Sequence, residues 1–364
     1  MGKKLFDFAI GNPPYQSGDN ESNSRQEPIY PIFYDAAKDL ANSYILISPA
    51  RFLFNAGLTS KSWNQKMLAD PHIKVERYVP NGADVFPNTD IKGGVTIVYR
   101  DSQKDFGAIK KFIPDPNQRS IAHKVQKDHF ESLSTIMHGG RSDLLLNHLA
   151  IQTFPQIITD RLKAIQKKNP KVKNLGPKEE FEIKSSSFDV TPYLFGEEKP
   201  INERDYFKIL GLKGMRRIWT WINKRYVIPR NPKDNNLNCY KVLIPKASGA
   251  GHYGETLSEP VIAGPDASST PTFISIGKFP TLVEAESAKK YIYTKFARAL
   301  LGILKITQDI VPSKWEYVPL QDFSSKSDID WSKSIHDIDL QLYKKYGLST
   351  DEIKFIESHV KEMA

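Results

Sequence analysis

Apolar and polar positions along the chain change rhythm twice. Over residues 1–101, short apolar runs alternate with amphipathic stretches. "LFDFAIG" reads as a strand, and "PIYPIFYDAAKDLA" reads as a helix once past Pro31. "SYILISP" is a buried strand run, "RFLFNAG" opens a loop or helix, and "SKSWNQKMLAD" has helical spacing. "IKVERYVP" and "GGVTIVYRD" are further strands, joined through the turn-rich "FPNTDIKGG". Strands alternating with helices predict a layered α/β sheet.

Residues 102–200 change character. "LSTIMHGGRSDLLLNHLAIQTFPQIITDRLKAIQKKN" predicts mainly helix, interrupted at Gly139-Gly140 and Pro155. A basic connector and an irregular stretch follow. From 201 to 335, "KVLIP", "PVIAG", "TFISIG" and "WEYVPL" predict short strands among Gly, Ser and Pro turns. "TLVEAESAKKYIYTKFARALLGILKIT" predicts one long helix, with Thr281 and Glu284 as a capping-box start. The last residues predict two short helices broken at Gly347. The expected organisation is an incomplete doubly wound sheet at 1–105, a mixed α/β domain at 106–335 and a helical tail at 336–364.

Composition narrows the class. At 364 residues the chain is long enough for two or three domains. One cysteine, Cys239, excludes an internal disulfide framework and cysteine-rich zinc sites, and fits a reducing cytoplasm. The eight histidines show no metal-ligand spacing, so no metal is expected. No apolar run reaches the roughly 18–20 residues of a membrane span, and no signal-peptide layout opens the chain. The expected setting is therefore cytoplasmic, without a membrane. The net charge of +9 favours a polyanionic partner, with nucleic acid ahead of a membrane surface.

Chemistry concentrates in Asn12-Pro13-Pro14-Tyr15, directly after the first strand. Two prolines fix two φ angles and remove two donors, and each extends the residue before it. The carbonyls of such a stiff loop cannot be consumed by a helix. Asn12 adds a side-chain acceptor. Paired acceptors suit a group with two N–H donors, such as an exocyclic amine, and Tyr15 offers a stacking face. Together they describe a pocket for an extruded nucleobase. The plain alternative is a strand-ending turn.

"FDFAIGNPPYQ" resembles the catalytic motif of the N6-adenine DNA methyltransferases of restriction–modification systems. "ILISPARFLFNAG" and "VFPNTDIKGGVTIVYRD" resemble their next segments. "KILGLKG", "KVLIPKASGAGHYGE", "TFISIG" and "KYIYTKFARALLGILKITQD" resemble a target-recognition region of TaqI-like type. "WEYVPLQDF" and "DIDWSKSI" resemble the family's ending. The resemblance implies that Asn12 and the Pro13 carbonyl accept from the adenine N6 amine, with Pro14 stiffening the loop. Tyr15 and Phe86 would sandwich the base. It also implies double-stranded DNA as partner and S-adenosylmethionine as methyl donor.

One departure stands out. The family binds its donor at a Gly-rich loop upstream of this motif, and only eleven residues precede Asn12. Gly249–Gly254 fits G-x-G-x-x-G, but "ETLSEPVIAGPD" after it reads as a strand rather than the required helix. The donor site is therefore expected in an upstream portion or a partner subunit, leaving this chain weak or inactive alone. The alternatives are a specificity module without chemistry and a nucleotide-binding enzyme built on the Gly249–Gly254 loop.

Residues 204–230 carry the clearest nucleic-acid signal. The expected DNA contacts are Lys213, Arg216, Arg217, Lys224 and Arg225, joined by Lys246, with Arg204, Lys208, Lys241 and His252 nearby. Trp219 and Trp221 are expected to pack as core. The isolated carboxylates Asp7, Asp90, Asp189, Asp328 and Asp330 read as cap or turn residues, because they show no metal-nuclease spacing.

Overall fold

The computed structural model describes residues 4–16, 27–55, 58–87, 89, 91, 93–127, 130–305 and 307–363. The chain divides into two compact units, Met1–Asp115 and Pro116–Ala364. The first includes residues 106–115, which the sequence reading assigned to the second. Phe112 holds them there, with its ring 5.6 Å from Phe54 and 5.5 Å from Tyr78. The Lys110 N–H also donates to the Leu68 carbonyl at 2.8 Å.

Unit 1 runs β1 (Phe6–Gly11), α1 (Tyr30–Leu40), β2 (Ala41–Pro49), α2 (Lys61–Ala69), β3 (Ile73–Val79) and β4 (Val95–Asp101). The sheet order is β1-β2-β4-β3. β1 and β2 are parallel, and β4 is antiparallel to both of its neighbours. Three strands thus point one way and β4 reverses between two of them. The sheet is therefore mixed rather than all-parallel. A parallel return needs a crossover, usually a helix, and the chain goes from β3 to β4 through a loop instead.

Aromatic packing makes the core of unit 1. Tyr30 and Tyr34 on α1 meet Tyr44 of β2, Phe52 and Trp63. The Tyr34 ring lies 5.7 Å from Tyr44 and 5.8 Å from Trp63, both edge to face. Asp70, at the end of α2, ties this layer to the sheet. It accepts from Lys38 Nζ at 2.8 Å and from Arg100 Nε of β4 at 3.1 Å. Burial would raise its carboxyl, but Lys38, the His72 N–H and Arg100 outweigh burial and hold it below the usual carboxylate range. β1 is the opposite case. It is an edge strand, and Phe6, Phe8 and Ile10 on it are exposed.

Unit 2 contains α3 (Pro116–Val125), β5 (Met137–His138), β6 (Leu144–Leu146), α4 (His148–Thr153), α5 (Gln156–Gln166) and α6 (Ser187–Val190). Then come β7 (Tyr206–Lys213), β8 (Arg216–Asn223), β9 (Val227–Pro229), β10 (Tyr240–Pro245), β11 (Val261–Ala263), β12 (Ala267–Ser269) and β13 (Phe273–Phe279). Four helices close the chain: α7 (Leu282–Tyr293), α8 (Lys295–Leu304), α9 (Ile335–Lys345) and α10 (Thr350–His359). The sheets are β11-β10-β13-β5, β12-β7-β8 and β6-β9.

Three expectations change here. The stretch read as mainly helical contributes β5 and β6, because β13 and β9 far along the chain pair with them. The single long helix splits at Thr294, whose extended backbone ends α7 and whose side chain caps α8 by accepting from the Ala297 N–H at 3.1 Å. "WEYVPL" is no strand; Trp315 is fully buried in a single turn and donates to the Ile310 carbonyl at 3.0 Å. The tail breaks at Gly347, at φ +60°, as expected. Its helices pack within unit 2, where Glu352 accepts from Ser120 and from Lys124, both at 2.7 Å.

Asp70→Ala leaves the Arg100 guanidinium buried without its carboxylate. Stability of unit 1 is expected to fall by about 3 kcal/mol, read as faster hydrogen exchange of the β2 and β4 amides in the full chain. An exchange rate within a factor of two of wild type would show that the network carries no such stability.

Candidate functional site

Strand direction gathers the loops of unit 1. β1, β2 and β3 all end at one edge of the sheet, and the reversed β4 begins there. The register is explicit: Gly11 faces Leu46, while Val95 pairs with both Pro49 and Val79. The loop after β1 (residues 12–15), the turn after β2 (50–54) and the loop between β3 and β4 (80–94) therefore share one end. This is the carboxyl end of co-directional strands, where open α/β sheets place ligands.

The Asn12–Tyr15 segment keeps the irregular form that its prolines dictate. Asn12 and Pro14 are exposed, Pro13 is buried and Tyr15 is half-buried. Among the described residues, the Asn12 side chain and the Pro13 carbonyl accept no hydrogen bond. The Tyr15 carbonyl accepts from the Ile29 N–H at 3.2 Å, which anchors the loop to the start of α1. The Tyr15 hydroxyl is buried without a partner, and burial pushes its pKa up to about 12.

Phe86 comes from the loop between β3 and β4, and its ring meets Tyr15 with centroids 6.2 Å apart. The planes cross at 69°, edge to face. Two base-stacking steps of roughly 3.4 Å each need about 7 Å between parallel rings, so one ring must turn to admit a base. The loop itself is tightly bound. The Phe86 N–H donates to the Gly82 carbonyl at 2.9 Å, and Thr89 Oγ1 donates to the Phe86 carbonyl at 2.6 Å. Gly94 sits at φ +79°, and a Cβ there would lie 2.3 Å from the Val79 carbonyl oxygen. Sequence reading missed Gly94; the Gly93-Gly94 doublet was its signal. Asp90 lies outside the described residues. Asp7 is a surface acceptor for Asn42 at 3.3 Å.

The Gly249–Gly254 loop has a different occupant. The Ala250 and Gly251 N–H groups, which would cradle a phosphate, donate to the Glu255 carboxylate at 2.8 and 2.9 Å. Lys305, itself buried, closes a salt bridge on the same carboxylate. Burial opposes ionisation of Glu255, yet Lys305 and the two amides hold its pKa down at about 2. A Cβ on Gly254 would lie 2.2 Å from the His359 carbonyl oxygen, so α10 closes the loop from outside. The loop is a filled anion nest and does not fit a nucleotide or S-adenosylmethionine.

The expected DNA contacts spread along the β7–β8 hairpin. Lys213 and Arg216 face each other at its tip, and Lys213 is bridged to Glu197. Arg217 lies over the Phe273 ring at 5.4 Å and donates to the Glu259 carbonyl. Phe273 pairs with Pro245, so the exposed Lys246 lies near Arg217. Lys224 and Arg225 sit beyond the other end of β8, roughly 25 Å away at about 3.3 Å per residue. Lys224 is bridged to Asp266 at 2.8 Å, and Arg225 rests on the Tyr226 ring. Arg216 and Lys246 alone of the six have no partner among the described residues. Lys241 is no DNA contact: it is fully buried, it donates to the Ala267 carbonyl at 2.7 Å, and burial lowers its pKa to about 8. Trp219 and Trp221 are both half-buried, and Trp219 packs against the buried cluster of Leu210, Leu243, Ala263, Ala267 and Phe273, so the core expectation holds in part for Trp219.

Residues 1–86 match the Eco57I restriction-modification methylase family. That stretch runs from the first strand through the Asn12–Tyr15 loop and ends at Phe86. An uncharacterized adenine-specific methylase of Mycoplasma pneumoniae is 32% identical over 98 residues, 26% of this chain and 23% of that protein. Among solved structures, the type IIG restriction endonuclease BpuSI is 9% identical at a TM-score of 0.33, over 93% of this chain and 48% of that one. The type IIL restriction-modification enzyme MmeI, solved with DNA, is 10% identical at a TM-score of 0.33, over 97% and 56%. The chain thus spans about a quarter of the curated relative and about half of each solved enzyme. No helix among the described residues is long and apolar enough to cross a membrane.

The filled nest makes a pH prediction. Glu255 has a folded pKa near 2 against an ordinary 4.5, so its stabilising effect is complete above about pH 4.5 and is lost as pH falls toward 2. Acid unfolding between those values should take up about one proton fewer in Glu255→Gln than in wild type. Urea midpoints measured across that pH window, parallel in the two proteins, would remove this role.

Proposed function

We propose that the chain is the target-adenine and DNA-recognising part of a restriction–modification N6-adenine DNA methyltransferase. The observation that carries this reading is the meeting of Tyr15 and Phe86 beside two unused acceptors, Asn12 and the Pro13 carbonyl. All of these lie within the stretch that matches the methylase family. An adenine extruded from DNA would sit between the rings, and its N6 amine would donate one N–H to Asn12 Oδ1 and one to the Pro13 carbonyl. Rigid acceptors aimed at an amine draw electron density onto its nitrogen and stabilise the positive charge that grows as it attacks. Pro14 holds Pro13 extended, so the two acceptors cost no reorganisation at that moment. The Tyr15 hydroxyl stays neutral and contributes a face rather than a charge. No side chain needs to act as a strong base.

S-adenosylmethionine supplies the methyl group in this family, and the Gly-rich loop of this chain does not fit it. The free edge of β1 supports a donor site carried by another body. Phe6, Phe8 and Ile10 alternate with Asp7 and Ala9, so they share one face of β1, and all three are exposed on this edge strand. The donor-bearing body, upstream or in a partner subunit, would add its sheet to that edge. The isolated chain is then weak or inactive in methyl transfer. DNA is the partner, and the basic hairpin of unit 2 is the surface that supports it.

Asn12→Ala tests the reading. In cells expressing the native gene, N6-methyladenine at its target motif should fall on the order of 100-fold, the usual loss when one preorganised hydrogen-bonding group is removed. Duplex binding by the purified chain should change less than threefold. Undiminished methylation would refute the acceptor role. DNA binding without any N6-methyladenine from the wild-type gene would favour a specificity module without chemistry.

A further inference from the structure

The face of the β7–β8 hairpin that carries Trp219 and Trp221 holds a second aromatic site, in unit 2. Antiparallel register sets Lys208 opposite Trp221 and Leu210 opposite Trp219. The two indoles are two residues apart on one face of β8, and the Lys208 ammonium lies over both, 4.7 Å from Trp219 and 5.6 Å from Trp221. These rings wall a cavity of about 370 Å³ that also takes in Arg204, Tyr206 and the Gly264–Asp266 turn.

The charges of this cavity are unevenly matched. Its two carboxylates are already neutralised, Glu203 by Lys199 at 2.6 Å and Asp266 by Lys224 at 2.8 Å. Arg204 and Lys208 have no carboxylate partner among the described residues. The cavity therefore offers two unmatched cations and two partly exposed indoles within reach of one small ligand. Rings that served the core alone would not line a cavity, and a plain basic face would carry no pair of tryptophans. Their combination fits a ligand that is aromatic and anionic at once.

We propose that this cavity binds one unpaired nucleotide of DNA, with its base stacked on Trp219 and Trp221 and its phosphate on Arg204 and Lys208. Stacking on an aromatic platform needs an open base face, which a paired base inside a duplex does not offer. The base replaces the ammonium over the indoles, and the freed Lys208 turns to the phosphate. The polymer is taken as DNA on the strength of the proposed function; the site itself rests on the ring and charge geometry. Its nucleotide can come from a single strand or from an extruded position of a duplex.

Tryptophan emission reads the site directly. Trp63, Trp315 and Trp331 are each less than a tenth exposed, so nucleic acid can quench mainly Trp219 and Trp221. The full chain is titrated with a 12-nucleotide oligothymidylate and, separately, with a blunt 20-base-pair duplex of mixed sequence. The single strand should quench saturably, and Trp221→Phe should lose a large part of that quench. Trp221→Leu should weaken single-strand binding about tenfold or more. Arg204→Ala, on an exposed side chain, should weaken it severalfold and lower the salt slope by about 0.7, one phosphate contact. That variant keeps the test decisive if Trp221→Leu does not fold. Quenching by the duplex as well would assign an extruded base; quenching by the strand alone would assign a single-stranded one. Duplex binding with no quench by either probe, and with Arg204→Ala unchanged, would overturn the cavity and leave the DNA reading intact. Binding of neither probe would overturn both.

Discussion

The reversal of β4 is the constraint on which the candidate site depends. Because β4 runs against β2 and β3, its first residue pairs with the last residues of both. The loop that enters β4 is thereby delivered to the edge where β1 ends. Phe86 can meet Tyr15 only because of that delivery. Gly94 makes the entry possible, since its backbone conformation and its approach to the Val79 carbonyl exclude any side chain. A parallel fourth strand would have put this loop at the opposite edge.

Electrostatics sort the polar features of unit 2 into those already used by the fold and those still open. The Gly249–Gly254 loop has the amide geometry of an anion site, and the fold fills it with its own carboxylate, Glu255. Lys241 is used the same way, buried against a carbonyl. Lys213, Lys224 and Arg225 are partly engaged by neighbours. Arg204, Lys208, Arg216 and Lys246 are among the cations that have no carboxylate partner among the described residues. A basic sequence therefore overstates the basic surface available to DNA.

Much of the candidate site was legible in the sequence. The two prolines after an apolar run favour an extended, donor-poor loop wherever they occur, and in the structure residues 12–15 belong to no helix or strand. One helix cap was legible in part: Thr281 accepts from the Glu284 N–H, without the return bond of a capping box, and the break at Gly347 also acts locally. β5 and β6 were not, because two- and three-residue strands exist only through partners more than 80 residues away. The split at Thr294 was not legible either, since apolar spacing continues unbroken through it. Trp219 and Trp221 have the composition of core residues, and only the tertiary structure shows that Trp219 rests on a core cluster while both rings line a cavity.

The sequence by itself determined the class of unit 1, the stiff acceptor loop at Asn12–Tyr15, the caps of the helices and the excess of positive charge. These are set by φ restriction, hydrophobic period and formal charge, which act over a few residues. Tertiary structure alone decided that β4 reverses, that Phe86 reaches Tyr15, that Glu255 fills the Gly-rich loop and that the tryptophans line a cavity beside Lys208. Each of these is a meeting of distant segments. Such meetings depend on strand pairing and on which carboxylate reaches a buried amide first, and neither leaves a local trace in the order of residues.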